Sequence, residues 1–465
     1  MVSNNSSFDL IQSNLRKKMM HLYNNNLFKK QNYLKYLNIL NQTQYYSEQE
    51  IYELKYDKIV KLLRFCSKHN PFYQELIERL KIRISNIKDI ESFEEILPII
   101  TKSEIQKNSH KLHSKFIAYP PEYQNSTGGS TGNPLNFFQD RYYHTWTFAD
   151  RLRHFQWCDW HLWEKKAYIW GSHKDYMNFK DRKLQGFREL VSGEIFLNSF
   201  SMDQNKMQSF YNKLTKFQPK ILIGYANALN TFAQFLEKNN FDCSHFKFNI
   251  QSAAENLYPE MRNTIERMFQ TNVFNSYGSR EISSIAHECK YKDGLHISEE
   301  IRHVEIKKEK ENSEIGHIIL TDLVNYTFPF IRYQNEDIGE FSNHKCKCGR
   351  NLKRLKTIHG RKSDFMPTPS GKLAHSLFFT FLFYHQTSIL DFQVIQDRLD
   401  HIQINYVFNQ NSTQEKLKKL KTKIIKIIKK DLDHQLNVSF NEVKSIPSLA
   451  SGKRKCIISN LDFSI

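Results

Sequence analysis

The chain has 465 residues, of which 40 % are apolar and 14 % aromatic, enough to build the cores of two or three domains and to exclude a disordered protein. Its formal net charge of +18 comes from lysines spread along the chain, so it reads as compositional bias and no nucleic-acid partner is expected. Seven cysteines, an odd number, exclude a disulfide framework and fit a reducing cytoplasm.

The opening MVSNNSSFDL is polar and unlike a secretory leader, and the longest apolar run, from Ser376, is roughly half of what a membrane span requires. Residues 1–95 read as helical: IYELKYDKIVKLLRFCSKH from Ile51 has apolar residues at helical spacing, and PFYQELIERL opens with Pro71 in a first turn. From Pro98 the texture changes. KAYIWGS, PKILIGY, FKFNIQSAAE and TNVFNSYGS are short β-rich runs, separated by helical ANALNTFAQFLEKN and YPEMRNTIERMF, an alternation that predicts an α/β sheet with crossover helices.

After Arg361 the pattern becomes that of a small α+β unit. DFQVIQDRLDHIQINYVF reads as two strands, TQEKLKKLKTKIIKIIKKDLD as an amphipathic helix with a solvated lysine face, and NVSFNEVKSI as a further strand. The expected division is a helical segment 1–95 of the large domain, a core 96–360, and a small mobile cap 361–465.

Between these elements lies NSTGGSTGNP, Asn125 to Pro134, with three glycines and four hydroxyl side chains. Glycine lets backbone N–H groups approach a ligand, and successive N–H groups with hydroxyls form a concave anion site suited to a phosphate chain. The spacing fits neither a P-loop nor a dinucleotide fingerprint.

This loop closely resembles the phosphate loop of the adenylate-forming enzymes, the acyl- and aryl-CoA synthetase superfamily, and further motifs follow in that family's order. QSAAENL from Gln251 resembles the adenine-pocket segment, NSYGSREI from Asn275 the Tyr-Gly-x-x-Glu motif, and FPFIRYQNEDIGEF from Phe328 the Arg-Tyr…Asp-x-Gly motif. HGRKSDF from His359 resembles the hinge, and SLASGKRK from Ser448 the C-terminal loop with the catalytic lysine. HNPFYQELI, LPIITKSEI and ECKYKDGLHISEE are similar to the phenylacetate–CoA ligase branch, and TGGSTGNPL with YGSRE to its capsular-polysaccharide-biosynthesis subgroup.

The resemblance implies ATP and Mg²⁺ as cofactors and assigns roles. Ser126, Thr127, Gly128, Gly129, Ser130, Thr131 and Gly132 would cradle the β- and γ-phosphates. Ala254 and Glu255 would border the adenine, Tyr277 would stack on it, and Ser276, Gly278, Ser279 and Arg280 would complete that side of the nucleotide site. Glu281 would hold Mg²⁺, a hard cation preferring oxygen. Asp337 would accept from both ribose hydroxyls, with Arg361 nearby and Asp364 at the hinge. Lys453 would reach the charge developing between α-phosphate and carboxylate. The chain departs from the family at Leu135, where many members have lysine, at Arg280, where threonine or serine is usual, and at Gln334, Asn335 and Glu336, which put the ribose surroundings in question.

HKCKCGR holds Cys346 and Cys348, and HECKYKDGLH holds Cys289 and His296 on either side of a turn. Two such pairs meeting would give a Cys₃His set suited to structural Zn²⁺, with His287 and His344 as competing donors. Similar positions occur in the phenylacetate–CoA ligase branch.

The expected function is an ATP-dependent, AMP-forming ligase that activates a carboxylic acid and passes it to CoA, or to a sugar or amine in surface-polysaccharide biosynthesis. Its partners would be these small molecules, with peripheral association to a polysaccharide assembly. The alternatives are a synthetase that leaves AMP on its product and a catalytically degenerate nucleotide-binding protein.

Overall fold

The computed structural model describes residues 32–127, 135–171, 193–383, 386–447 and 456–463. The glycine-loop residues Gly128 to Gly132 and the lysine Lys453 lie outside the described residues.

The first described elements are the helices Tyr33–Thr43, Glu48–His69 and Pro71–Arg79. Each start has a local cause. Ser47 and Glu50 form a reciprocal cap, with the Ser47 N–H donating to Glu50 at 2.8 Å and the Glu50 N–H to Ser47 Oγ at 3.2 Å. Asn70 caps the next helix through the Tyr73 N–H, and Pro71 occupies the first turn, where no amide donor is needed.

The strands Glu194–Asn198, Lys166–Trp170, Ile221–Tyr225, Asn249–Ala253 and Val273–Ser279 pair in parallel in that spatial order. Such strands must be covered on both faces, which is why ILIGY is apolar without alternation. Leu222 and Ile250 face the helices Gln204–Phe217, Ala226–Lys238 and Pro259–Phe269, while Ile221 and Ile223 pack with Tyr143, Trp146 and Ala149 of the helix Arg141–Trp157. The sheet then continues antiparallel through Ser283–Glu288, Leu295–Ile297, Arg354–Arg361, Tyr333–Phe341, Gly316–Asp322 and Arg302–Lys308; Ile100–Thr101, which pairs in parallel with Tyr333–Phe341, is the twelfth strand among the described residues. The first helices pack on this antiparallel half through Leu62, Leu63, Tyr73, Phe328 and Phe330.

Residues beyond Asp364 form a separate core. The strands Asn437–Glu442, His401–Phe408, Ile389–Arg398 and Ile457–Ser459 make a four-stranded sheet, covered by the helices Ser376–Phe383 and Gln414–Ile427. Leu417, Leu420 and Ile424 form the buried stripe of the second helix, against Val394, Ile402 and Ile404, while its lysines 416, 418, 419, 423 and 426 face water. The fold is thus mixed α/β with a large sheet domain and a smaller C-terminal α+β domain.

Helix and sheet are joined by a buried ionic network. Arg153, fully buried, donates to Asp150 at 2.7 Å, to Glu300 at 2.6 and 3.2 Å, and to the Leu40 carbonyl at 3.1 Å. Ser284 and Ser298 donate to the other Asp150 oxygen at 2.8 Å each. His154 stands 3.5 Å from Asp150, but burial pushes its pKa down to about 4, so at neutral pH the imidazole is uncharged. Despite the burial that opposes it, the carboxyl of Asp150 is held down at about 2 by His154, Arg153 and the two serines.

Arg153→Met leaves two buried carboxylates without their cation and is expected to lower unfolding stability by about 3–5 kcal/mol, read as a fall in denaturant midpoint. The pH dependence has a definite sign. An imidazole whose folded pKa lies below its unfolded value opposes folding as protons bind the unfolded chain, so stability is expected to fall between pH 6.5 and about 4, by up to ~1.4 kcal/mol per pH unit for this group. Asp150, depressed from 3.8 to about 2, keeps its full contribution above the unfolded value and loses it as the pH falls from there through about 2, below the window of the histidine. Denaturation curves from pH 7.5 to 4.5 check the first trend against His154→Phe, which should flatten it in part; an unchanged slope would show that His154 is not its source.

Candidate functional site

The site forms where the parallel and antiparallel halves of the sheet meet. Val273–Ser279 is the last parallel strand, and it turns directly into Ser283–Glu288. Gly278 is required at that turn, because a Cβ there would stand 2.4 Å from the Ser283 carbonyl oxygen. Tyr277 points inward and is 9 % exposed; Ser276 and Ser279 are half-buried, and Arg280 is exposed. Glu281 is buried, with Tyr333 Oη donating to its carboxylate at 3.3 Å.

Opposite lies the strand Tyr333–Phe341. Its pairing with Gly316–Asp322 breaks register: Gln334 faces Ile319 and Ile338 faces His317, so the strand carries extra residues between. A bulge of this kind re-aims side chains out of the ladder. Here it turns Asn335 and Asp337 toward Tyr277. Tyr277 Oη donates to Asp337 Oδ2 at 2.7 Å, and Asn335 Nδ2 donates to Tyr277 Oη and to Asp337 Oδ2 at 2.8 Å each. Arg361 comes from the neighbouring strand, in register with Asp337, and its Nε donates to Asp337 Oδ1 at 3.3 Å. Burial pushes the Asp337 carboxyl above the usual carboxylate range, opposed by Arg361 and the Tyr277 hydroxyl. Burial and the facing carboxylate push the Tyr277 phenol well up, which keeps it a donor.

The stem of the glycine loop abuts this turn. Glu122–Ser126 and Asn136–Asp140 form a hairpin, closed at its mouth by the Thr127 N–H to the Leu135 carbonyl at 3.0 Å and the Leu135 N–H to Thr127 Oγ1 at 2.9 Å. Gln139 Nε2 donates to the Arg280 and Glu281 carbonyls at 3.3 Å each, so Ser126 and Thr127 are fixed relative to the Tyr277–Glu281 turn. Leu135 is buried and serves the core.

Ala254 adopts a left-handed conformation, φ 63°, directly after the strand Asn249–Ala253. Glu255 accepts from the Asn227 N–H and Nδ2 at 3.0 Å each, so its carboxylate caps the helix Ala226–Lys238, which has no side-chain cap from Tyr225. Asp364 accepts from the Arg361 N–H at 2.9 Å. Gly360 beside it has φ 102°, and a Cβ there would meet Asn256 and Asp364 at 3.0 Å.

Cys289, His296, Cys346 and Cys348 offer ligand atoms that all lie within 4.8 Å of one another. Cys289 and Cys346 sulfurs are 3.6 Å apart, and Cys348 Sγ is 3.3 Å from His296 Nε2. Bonds of about 2.3 Å to sulfur and 2.0 Å to nitrogen in a tetrahedron give edges of roughly 3.5–3.8 Å, so the set fits Zn²⁺. The turn between Cys289 and His296 closes through Lys292, φ 51°, and Gly294, φ 83°. The competing histidines turn elsewhere: His287 Nδ1 faces the Glu288 carbonyl at 2.6 Å, and exposed His344 faces Asp293 at 2.9 Å. Another cluster, Glu94, His303 and Glu305, differs because Arg332 already occupies it, holding both Glu305 oxygens at 2.6–3.1 Å. That grouping is an ion-paired brace between the Ile90–Ile96 helix end and the sheet.

Asn335 is the residue that motif reasoning left without a role. The signal was present as a departure from the family pattern, but its hydrogen bonds depend on the bulge.

Residues 366–460 match the family described as the CapK C-terminal domain. Over 468 residues the chain is 26 % identical to Protein CapK of Staphylococcus aureus, covering 94 % of this chain and 95 % of that protein. Among solved structures it is similar to 2-hydroxyisobutyryl-CoA ligase in the postadenylation state with 2-HIB-AMP, with a TM-score of 0.69, 16 % identity, and coverage of 89 % of this chain and 90 % of that one. The open conformation of that ligase, with 2-HIB-AMP and CoA, gives a TM-score of 0.58 at 15 % identity, covering 87 % and 90 %. The chain therefore has the adenylate-forming ligase fold with a CapK-type C-terminal domain, and the resemblance read from its ordered motifs holds.

Proposed function

We propose that this chain is an ATP-dependent, AMP-forming ligase that activates a carboxylic acid as its acyl-adenylate and passes it to an acceptor, either CoA or a sugar or amine in surface-polysaccharide biosynthesis, in the cytoplasm. The observation that carries this is the convergence of Tyr277, Asp337 and Arg361, from three strands, on one half-enclosed carboxylate beside the stem of a glycine- and hydroxyl-rich loop.

The chemistry asks for positioning and charge neutralisation rather than covalent help. The Tyr277 ring would lie against the adenine, Asp337 would take the ribose hydroxyls, and Glu281 would hold Mg²⁺, which neutralises phosphate charge when bound. Ser126 to Gly132 would donate to the terminal phosphates. Lys453 would stabilise the charge where carboxylate meets α-phosphate. The division near residue 361 would let the small domain rotate about Asp364, bringing Lys453 in for adenylation and removing it for transfer. Cys289, His296, Cys346 and Cys348 would hold a structural Zn²⁺ that pins two loops of the antiparallel half. A synthetase that leaves AMP on its product is the alternative.

Pyrophosphate exchange against a panel of carboxylic acids tests the proposal. Lys453→Ala is expected to lose exchange by about 10²- to 10³-fold while still binding Mg·ATP. Normal exchange in that variant would remove Lys453 from the chemistry. Release of free AMP once acceptor is added marks the ligase, and AMP retained on the product marks the alternative. Metal analysis of the purified protein is expected to give about one zinc per chain, lost in Cys346→Ser/Cys348→Ser; a metal-free, natively folded protein would end that assignment.

A further inference from the structure

We propose that Asn335 is a positioning residue for the nucleotide: it locks the Tyr277 ring to the Asp337 carboxylate and thereby sets the preference for a ribose over a deoxyribose. This rests on the reading of Tyr277 and Asp337 as nucleotide contacts.

The geometry is economical in donors. Asn335 is 6 % exposed. Its amide nitrogen has two hydrogens, and both have partners at 2.8 Å, Tyr277 Oη and Asp337 Oδ2. Its amide oxygen accepts from the Asp337 N–H at 3.1 Å. One side chain therefore fixes the backbone of Asp337, one oxygen of its carboxylate and the hydroxyl of the facing tyrosine. With the Tyr277 hydroxyl and Asn335 both on Oδ2, that oxygen is committed to the protein. Oδ1 accepts from Arg361 Nε at 3.3 Å, a longer and weaker contact than those on Oδ2. Asn335 thus leaves Oδ1 as the oxygen on which both ribose hydroxyls would converge, and sets its direction.

An aliphatic side chain at 335 would release all three bonds. Tyr277 would keep only Asp337 as partner, and the carboxylate would be free to rotate. Aspartate at 335 replaces the donating nitrogen with an oxygen and places a carboxylate against Asp337, so the pair binds one proton between them at raised pH. A protonated acid there restores one donor. The titratable and charged groups around this pair are Tyr277, Glu281, Arg361 and Glu336, the last paired with Lys102 at 3.3 Å.

The test compares ATP with 2′-deoxy-ATP and 3′-deoxy-ATP by equilibrium binding to the full chain. Wild type is expected to favour ATP over both. Asn335→Ala is expected to weaken ATP by about three- to tenfold, with little change for the deoxynucleotides, so that the preference collapses. Asn335→Asp, the near-isosteric variant, carries the same test where the alanine variant does not fold: its ATP affinity is expected to rise as pH falls from 8 to 6, a trend absent in wild type. Unchanged ratios in Asn335→Ala, or a flat pH profile in Asn335→Asp, would overturn the positioning role while leaving the nucleotide site intact. Wild type that binds no adenine nucleotide, or binds all three equally, would instead bring down the nucleotide reading, and this inference with it.

Discussion

A carboxylate withdrawn from water must be matched by donors, and in this molecule the matching of Asp337 organises the site. Its partners come from different parts of the chain: a tyrosine on the last parallel strand, an asparagine in its own bulge, and an arginine at the end of the strand leading into the C-terminal domain. Burial pushes that carboxyl up and the donors pull it back, so its charge depends on all of them being in place. The parallel half, the antiparallel half and the end of the strand that leads into the C-terminal domain are therefore fixed to one another at a pair of oxygen atoms.

The same logic recurs deeper in the core, where residues 298–302 form a node. Glu299 takes Lys55 at 2.7 Å and the Lys353 N–H at 2.6 Å, Glu300 takes Arg153 and Thr43, and Arg302 donates to Asp322 and to the Ile282 carbonyl. Buried ion pairs contribute little net stability but penalise any arrangement in which a partner is missing. The node connects the first helices, the Cys/His loops and the turn at Ile282, one residue after Glu281. The cysteine cluster has a short path to that turn, covalently along the strand Ser283–Glu288 from Cys289 and by hydrogen bonds from Leu295–Ile297, which pairs with it.

Much of this was legible in the sequence, and the division between what was and was not is physical. The parallel strands announced themselves because burial on both faces forces short continuous apolar runs, as in Ile221–Tyr225. The C-terminal helix was legible because Leu417, Leu420 and Ile424 keep helical spacing among lysines. The Cys/His set followed from donor chemistry and a glycine turn. The strands between Arg302 and Phe341 were not resolved by pattern, because buried charges such as Arg302, Asp322 and Glu305 interrupt the apolar periodicity. The role of Asn335 was hidden for a related reason: a register break cannot be seen in one strand, since it is a mismatch with another. Glu255 shows the converse, a residue whose motif implies an adenine neighbour and whose carboxylate is engaged in capping a helix.

Around residues 360–364 structure and proposed mechanism constrain each other. Arg361 donates through its amide to Asp364 and through its guanidinium to Asp337. Gly360 just before it sits at a φ of 102°, where a side chain would strain the backbone and press on Asp364. A rotation of the C-terminal domain about this point, as the proposed two-step reaction requires, has to redirect the Arg361 backbone. The long contact to Asp337 is the one that yields most easily. On that mechanism, nucleotide occupancy of Asp337 and the position of the domain would compete for, or share, the same arginine. On the proposed mechanism, ribose binding and domain rotation would act on two ends of a single side chain, and the contact that would have to yield is the longest one made to the Asp337 carboxylate.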